Sequence, residues 1–196
     1  LYFLVERAEN ITAHTDALWM NLYLDTDQSK QGWNTFDFVV GKTAGTDKTL
    51  VLEKFTADND YTKTEKVADV EYKVDGKYMT VKIAKSDLGL TGDDYTVNFA
   101  WTDNVHDEGD YTKFSGDILD FYISGDVAPG GRFKYSYVST AANSAAGETD
   151  ETTPAESTPT ESTPVETPAE TEPDTEPGKK GCKSTFGMGV ASTLTA

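Results

Sequence analysis

Short segments in which apolar and polar residues alternate follow one another along the first 138 residues, and this alternation constrains the fold most strongly. A period of two places successive side chains on opposite faces of a strand, whereas the helical period of 3.6 is almost absent. Eight or nine short strands are predicted, at spacings of roughly 8 to 15 residues. The pattern predicts an all-β fold, an antiparallel β-sandwich of the jelly-roll or immunoglobulin-like two-sheet type.

The predicted strands cover residues 1–6, 18–24, 36–40, 49–55, 67–74, 78–84, 95–101, 118–124 and 131–138. Between the fifth and the sixth, Asp75-Gly76 predicts a tight turn of the primed type. Residues 85–90 are predicted to form one helical turn that Ser86 caps and Gly89 ends.

Composition divides the chain into three parts. Residues 1–140 are interpreted as the β-sandwich module, which opens in mid-strand and is expected to lack its N-terminal strands. Residues 141–180 are interpreted as a disordered linker, because six of the seven prolines lie between positions 148 and 177 among Thr, Glu and Ser. Residues 181–196 are too short to cross a bilayer and are interpreted as a truncated C-terminal membrane anchor, with a disordered C-terminus as the alternative.

The charge of the chain bears on its partners. The formal net charge is -17, and residues 1–147 hold 24 acidic against 14 basic side chains. Such a surface repels phosphate backbones, so nucleic acid is not an expected partner, while divalent cations and neutral ligands are compatible with it. Cys182 is the one cysteine, so no disulfide can form within the chain.

A loop between two predicted strands contains closely spaced carboxylates. Asp25, Asp27 and Asp37 would face one another across this hairpin, and carboxylate oxygens are the ligands that calcium prefers. The alternative is that Asp25 and Asp27 cap the turn through hydrogen bonds to backbone N–H groups. A second acidic loop is interpreted mainly as a solvated face, with calcium as the alternative; it contains Asp103, Asp107, Glu108 and Asp110.

Two tryptophans are candidates for ligand contact. A sugar ring needs a flat aromatic surface together with amide or carboxylate groups. Trp33 lies in the acidic loop, and Trp101 ends a predicted strand next to Asp103 and Asn104. The candidate ligand-binding residues are therefore Trp33, Trp101 and Asn104. The alternative is that Trp33 folds over its own hairpin and that Trp101 belongs to the core.

Three stretches resemble a known family. DTDQSKQGWNTFDFVV, FAWTDN and GDILDFYISGDVAPGGRFKY are similar to the family nine carbohydrate-binding modules and the wider DOMON-like β-sandwich superfamily of secreted Gram-positive bacterial proteins. The resemblance covers about residues 1–138 and implies a non-catalytic extracellular module that binds polysaccharide or glycan. The linker and the end of the chain similarly resemble cell-surface attachment regions. The alternative is a structural spacer that positions an upstream catalytic domain.

Some DOMON-like relatives bind haem through Met and His. Here Met20 and Met79 lie on strand faces, while His14 and His106 lie in loops, and their spacing does not define a ligand pair. We therefore expect core methionines and surface histidines. Catalysis is not expected either, because the pattern distinguishes no pair of carboxylates of the kind that glycoside hydrolysis needs.

Overall fold

The computed structural model describes residues 1–14 and 16–140. Within these residues the chain forms nine strands: β1 (Tyr2–Glu6), β2 (Asn21–Asp25), β3 (Phe38–Val40), β4 (Thr49–Phe55), β5 (Thr64–Asp75), β6 (Tyr78–Lys82), β7 (Tyr95–Asp103), β8 (Asp126–Ala128) and β9 (Tyr135–Ser139). It also forms a 3-10 helix, Lys85–Leu88, and helix α1, Ile118–Ile123. No helix in this part of the chain has the length and apolar character needed to cross a membrane. The predicted linker, 141–180, and the predicted anchor, 181–196, lie outside the described residues.

The strands form one continuous antiparallel sheet. Its hydrogen-bonded order is β1-β6-β5-β4-β3-β2-β7-β8, and β9 also pairs with β7. β8 and β9 lie along the same outer edge of β7, where β8 pairs with residues 101–103 and β9 with residues 95–99. The all-β, antiparallel fold class predicted from the sequence is therefore confirmed.

The sheet curls, so that its inner face encloses the main hydrophobic core. Phe3 in β1 meets Phe99 in β7 edge to face, with ring centroids 5.4 Å apart, although five strands lie between them in the sheet order. Each strand from β1 to β8 contributes a buried side chain to this core. In β2 those side chains are Leu22 and Leu24, which alternate with Tyr23 on the other face.

Ion pairs join the two ends of the curled sheet. Arg7 directly follows β1, and its guanidinium group pairs with Asp103 of β7 and with Asp126 of β8, the latter at 2.7 Å. Asp103 is buried, and its carboxylate also accepts the backbone N–H of Met20 at 3.2 Å. Arg7 therefore links the first strand to the last strands of the sheet order.

A second hydrophobic core lies on the outer face of the central strands. Loops and helix α1 cover this face, and all five residues of β2 are consequently buried. The second core is defined by the buried residues Tyr23, Trp33, Phe36, Val39, Phe55, Tyr61, Ala100, Val105 and Phe121. Burial on both faces explains why the central strands contain few charged side chains.

The strand predicted at residues 118–124 is wrong, because this segment is helix α1. The side chain of Asp117 accepts the backbone N–H groups of Leu119 at 2.7 Å and Asp120 at 3.2 Å, which is an N-cap arrangement. Phe121 is buried, whereas Leu119 and Ile123, one helical turn apart, are exposed. Alternation therefore gave the wrong period here, since the apolar residues do not share one buried face.

Several boundaries also differ from those predicted. β2 begins at Asn21 rather than residue 18, because Met20 has a left-handed φ of 49°. The tight turn between β5 and β6 contains Gly76 and Lys77, one residue later than predicted, since Asp75 still pairs with Tyr78.

Two further local predictions were incomplete. The helical turn at Lys85–Leu88 and its left-handed end at Gly89 are confirmed, but no side chain caps it, so the predicted Ser86 cap is wrong. The predicted turn after residue 124 contains a strand, β8, and the last strand starts at Tyr135 rather than residue 131.

Candidate functional site

Trp33 lies at the centre of the second core. Its side chain is 0% exposed, and its indole N–H donates to the carbonyl oxygen of Gly116 at 3.2 Å. Its ring has centroid distances of 4.9 to 6.5 Å to the rings of Tyr23, Phe36, Phe55, Tyr61, Phe114 and Phe121. The sugar contact expected of Trp33 therefore has no exposed ring face to use, and the arrangement matches the alternative in which the ring folds over its hairpin.

The three candidate ligand-binding residues are not brought together at the surface. Trp101 is 3% exposed and belongs to the inner core of the curled sheet. Asn104, by contrast, is exposed at the end of β7, with a left-handed φ of 56° and its backbone N–H bonded to the Leu18 carbonyl. Of this set, only Asn104 is available to a ligand.

The three candidate metal ligands do lie together. Asp25 is buried, Asp37 half-buried and Asp27 exposed, and one carboxylate oxygen from each lies within 4.8 Å of the others. Two oxygens that bind one calcium ion at about 2.4 Å cannot be more than about 4.8 Å apart, so these distances are compatible with a shared ion. The Asx alternative is also present, because Asp25 and Asp27 accept the backbone N–H groups of Gln28 and Ser29.

Lys134 already neutralises one member of this cluster. Its ammonium group lies 2.7 Å from Oδ2 of Asp25, and it also donates to the carbonyl and hydroxyl oxygens of Thr35. The ammonium lies 4.2 Å from the ring centroid of Phe36, in cation–π geometry. A metal ion that used Oδ2 of Asp25 would therefore compete with this lysine.

The surroundings of Asp37 change the pKa of its carboxyl group. Burial raises the pKa of Asp37, and the charges of Asp27 and Asp25 raise it further, although hydrogen bonds from Thr26 oppose the shift. The ionised form of Asp37 is thus disfavoured, and a bound cation would relieve the repulsion.

A cleft of 760 Å³ opens beside Asp27 and Asp37. Four separate parts of the chain form it: the β2–β3 loop, the end of β4 with the residues that follow, Val67 of β5, and the turn after β6. The Oδ1 atom of Asp58 accepts the backbone N–H of Gly32 at 2.9 Å and so joins two of these walls. The polar groups in the lining are Thr26, Asp27, Gln31, Asp37, Lys54, Thr56, Asp58, Ser86 and Asp87.

The cleft is charged but contains few internal ion pairs. Within the described residues, neither the ammonium of Lys54 nor any of the lining carboxylates takes part in a salt bridge. The apolar lining residues Phe38 and Phe55 are both 5% exposed, so the cleft offers no open aromatic face. Its chemistry is that of hydrogen bonding by carboxylate, amide, hydroxyl and amine groups.

The second acidic loop, residues 103–110, is organised by its own carboxylates. Asp107 accepts the backbone N–H and the hydroxyl of Ser115 and pairs with Lys113, while Asp103 pairs with Arg7. Asp110 accepts both the N–H and the hydroxyl of Thr112, and these bonds lower its pKa. These carboxylates are therefore used largely within the protein.

The methionines and histidines of the described residues lie in different surroundings. Met20 and Met79 are buried in the main core, as predicted. His14 packs edge-on against Trp19, and His106 packs against Tyr111 with ring centroids 4.5 Å apart.

The sequence did not single out the cleft, because its walls come from distant segments without a shared motif. Asp27 and Asp37 were identified, whereas Gln31, Lys54 and Asp58 were missed. No protein-family model, curated protein or solved structure matches the chain.

Proposed function

We propose that the protein is a non-catalytic extracellular module that binds neutral polysaccharide, and that the cleft beside Asp37 is its binding site. The observation that carries this proposal is the lining of the cleft, which contains both hydrogen-bond acceptors and donors around a volume of 760 Å³. Ligand pockets are typically about 300–1,000 Å³ and orient their ligands with a few polar groups. Sugar hydroxyls both donate and accept, so they match this lining.

The charges in the cleft favour a neutral over an acidic sugar. Asp27, Asp58 and Asp87 face one cation, Lys54, in the lining. Carboxylated or sulfated saccharides would be repelled, since the lining carboxylates carry charge of the same sign. Neutral hydroxyl groups can instead donate to the carboxylates.

The same proposal includes the fold family and the location. A curled sheet whose β1 and β7 meet across one core resembles two facing layers, which supports a family nine-like or DOMON-like sandwich. Fold analogy alone does not establish function. In this proposal residues 141–180 are the linker that attaches the module to the cell surface.

Cellohexaose, xylohexaose and mannohexaose are suitable probes of the cleft, by isothermal titration calorimetry with the full chain. We expect at least one to bind, and the double variant Gln31→Ala and Asp87→Asn to weaken that binding about tenfold or more. The physical reason is that the amide of Gln31 is lost and that the charged acceptor of Asp87 becomes a weaker neutral one, each change costing about 1 kcal/mol. Both side chains lie in the lining and neither has an ion-pair partner among the described residues.

Asp69→Asn is the matched control, because Asp69 is exposed on β5 and pairs with Lys66 outside the cleft. If the control lost as much binding affinity as the double variant, the cleft would not be the binding site. Binding only to a polycation such as chitosan that disappears at about 0.5 M salt would indicate charge-driven association instead. Hydrolysis of the oligosaccharide would contradict the non-catalytic role.

Calcium at Asp25, Asp27 and Asp37 is a second part of the proposal, supported by the distances between their oxygens. We expect calcium at about 10 mM to increase the free energy of unfolding by about 1–3 kcal/mol, for a site with a Kd of about 10⁻⁴–10⁻³ M. EDTA should reverse the increase and Asp37→Asn should remove it. Because protonation of Asp37 competes with the ion, the effect should be smaller at about pH 5 than at pH 7. An equal response to magnesium, or no response to either ion, would contradict the site.

The alternative function is a structural spacer that positions another domain and binds no sugar. The burial of both Trp33 and Trp101 favours this alternative, since neither indole can contact a ligand as the chain is folded. A failure of all three oligosaccharides to bind would support it.

A further inference from the structure

Among the described residues, the most exposed aromatic side chain lies in a loop that the cleft does not include. Tyr111 is 78% exposed, and no residue of its loop lines the cleft. Single exposed aromatic residues are common and need no ligand to explain them. Tyr111 differs from such residues in how firmly its loop and its ring are held.

Hydrogen bonds fold the loop around Tyr111 in advance of any binding. The backbone N–H of Asp107 donates to the Lys113 carbonyl at 2.9 Å, and that of Asp110 donates to the Asp107 carbonyl at 3.0 Å. Helix α1 anchors the loop, because the Glu108 N–H donates to the carboxylate of Asp120 at 3.0 Å.

The ring of Tyr111 also has a fixed support. Its centroid lies 4.5 Å from that of His106, with a 41° angle between the two rings. His106 is itself held, since its N–H donates to the Ser124 hydroxyl, which donates back to the His106 carbonyl. Binding would therefore order few additional groups, which lowers its entropic cost.

We propose that Tyr111 is a second carbohydrate contact, a platform on which a pyranose ring of a neutral polysaccharide stacks. A flat aromatic ring matches the C–H face of a sugar, and exposed polar groups of the same loop, including Asn104 and Glu108, match its hydroxyl rim.

This platform depends on the proposed carbohydrate function for its ligand class but not on the cleft for its position. Trp33 connects the two sites. It follows Gly32 of the cleft wall, donates to Gly116, and packs against Phe114 at a centroid distance of 5.8 Å. A long polysaccharide that contacts both sites would be retained more strongly than a short oligosaccharide that fills one.

The test is residue-by-residue NMR of the ¹⁵N-labelled full chain, titrated with cellohexaose, xylohexaose or mannohexaose. We expect amide shifts at residues 104–112 that Tyr111→Ala abolishes and that Tyr111→Trp retains, because stacking needs the ring and not the hydroxyl. Phe133→Ala is the matched control, since Phe133 is 75% exposed in a different loop. On gels containing the corresponding polysaccharide, Tyr111→Ala should weaken retention about five- to tenfold, as expected for one stacked ring.

The outcomes separate this inference from the proposed function. Amide shifts confined to cleft residues would overturn the proposed platform at Tyr111 and remain consistent with the cleft as the binding site. Shifts confined to residues 104–112 would support the platform and contradict the cleft, and shifts at neither would overturn both. A decrease in self-association on Tyr111→Ala, seen by sedimentation, would identify the ring as a contact between copies and overturn the platform.

Discussion

Replacing Trp33 with alanine is expected to lower the free energy of unfolding by about 3–5 kcal/mol, the cost typical of removing a fully buried tryptophan. The side chain is 0% exposed and contacts six other aromatic rings, so its removal leaves a cavity that those rings cannot fill without leaving their rotamers. The carbonyl of Gly116 also loses the indole N–H that it accepts. Since small domains have total stabilities of about 5–15 kcal/mol, this variant should lose a large fraction of its stability.

Urea denaturation followed by circular dichroism measures this loss. Trp33→Phe keeps part of the ring and should lose less than Trp33→Ala. Tyr111→Ala is the surface control and should change stability by no more than about 0.5 kcal/mol. If Trp33→Ala cost less than about 1 kcal/mol, the second core would not contribute to stability as described. If Trp33→Ala had wild-type stability but no longer bound sugar, Trp33 would be a direct ligand contact.

The strands were largely predicted from the sequence pattern, whereas the burial of Trp33 was not, and the difference shows what the alternation of apolar and polar residues can predict. β4, Thr49–Phe55, was predicted with its correct bounds because a short apolar run follows the turn-forming residues 41–47, and residues 50–53 and 55 are indeed buried. Alternation cannot show that a loop residue folds back over the outer face of a sheet. Trp33 is buried because Tyr61 and Phe121, 28 and 88 residues further along the chain, meet it there.

Helix α1 was missed for a related reason. The segment ILDFYI has β-branched and aromatic residues that favour a strand, but its N-cap, Asp117, supplies the first hydrogen bonds of a helix. A six-residue helix gains most of its stability from packing, here from Phe121 in the second core. The competing preferences were therefore decided by tertiary contacts that the local sequence does not contain.

The candidate site was predictable only where it is local. Asp25, Asp27 and Asp37 belong to one hairpin, so their spacing indicated that they would meet. Of the cleft residues outside the hairpin, those at positions 54–58 lie close to it because β4 pairs with β3, whereas Val67 and residues 86–90 come from more distant segments. Tyr111 did have a local signal, an aromatic residue within an acidic, irregular loop, but the tryptophans were given priority.

Replacing Arg7 with methionine is expected to lower the free energy of unfolding by about 2–3 kcal/mol, the second large effect. Removing one partner of a fully buried ion pair costs about 3–5 kcal/mol, because the remaining charge is left without compensation. The Asp103 side chain is 9% exposed, but that of Arg7 is 31% exposed, so solvent screening reduces the cost. The two ends of the sheet would also lose the contact that joins β1 to β7 and β8, and hydrogen exchange in β1 should become faster.

The two carboxylates that bind Arg7 should contribute unequally. Asp126 is 73% exposed, so Asp126→Asn should cost no more than about 0.5 kcal/mol, as should Lys66→Met in the exposed Lys66–Asp69 pair. Asp103→Asn added to Arg7→Met should recover part of the loss, because it removes the uncompensated charge while Met20 keeps its hydrogen-bond acceptor. If Arg7→Met cost no more than Lys66→Met, the curl would be held by the core alone, and Phe3 and Phe99 would be the residues to vary next.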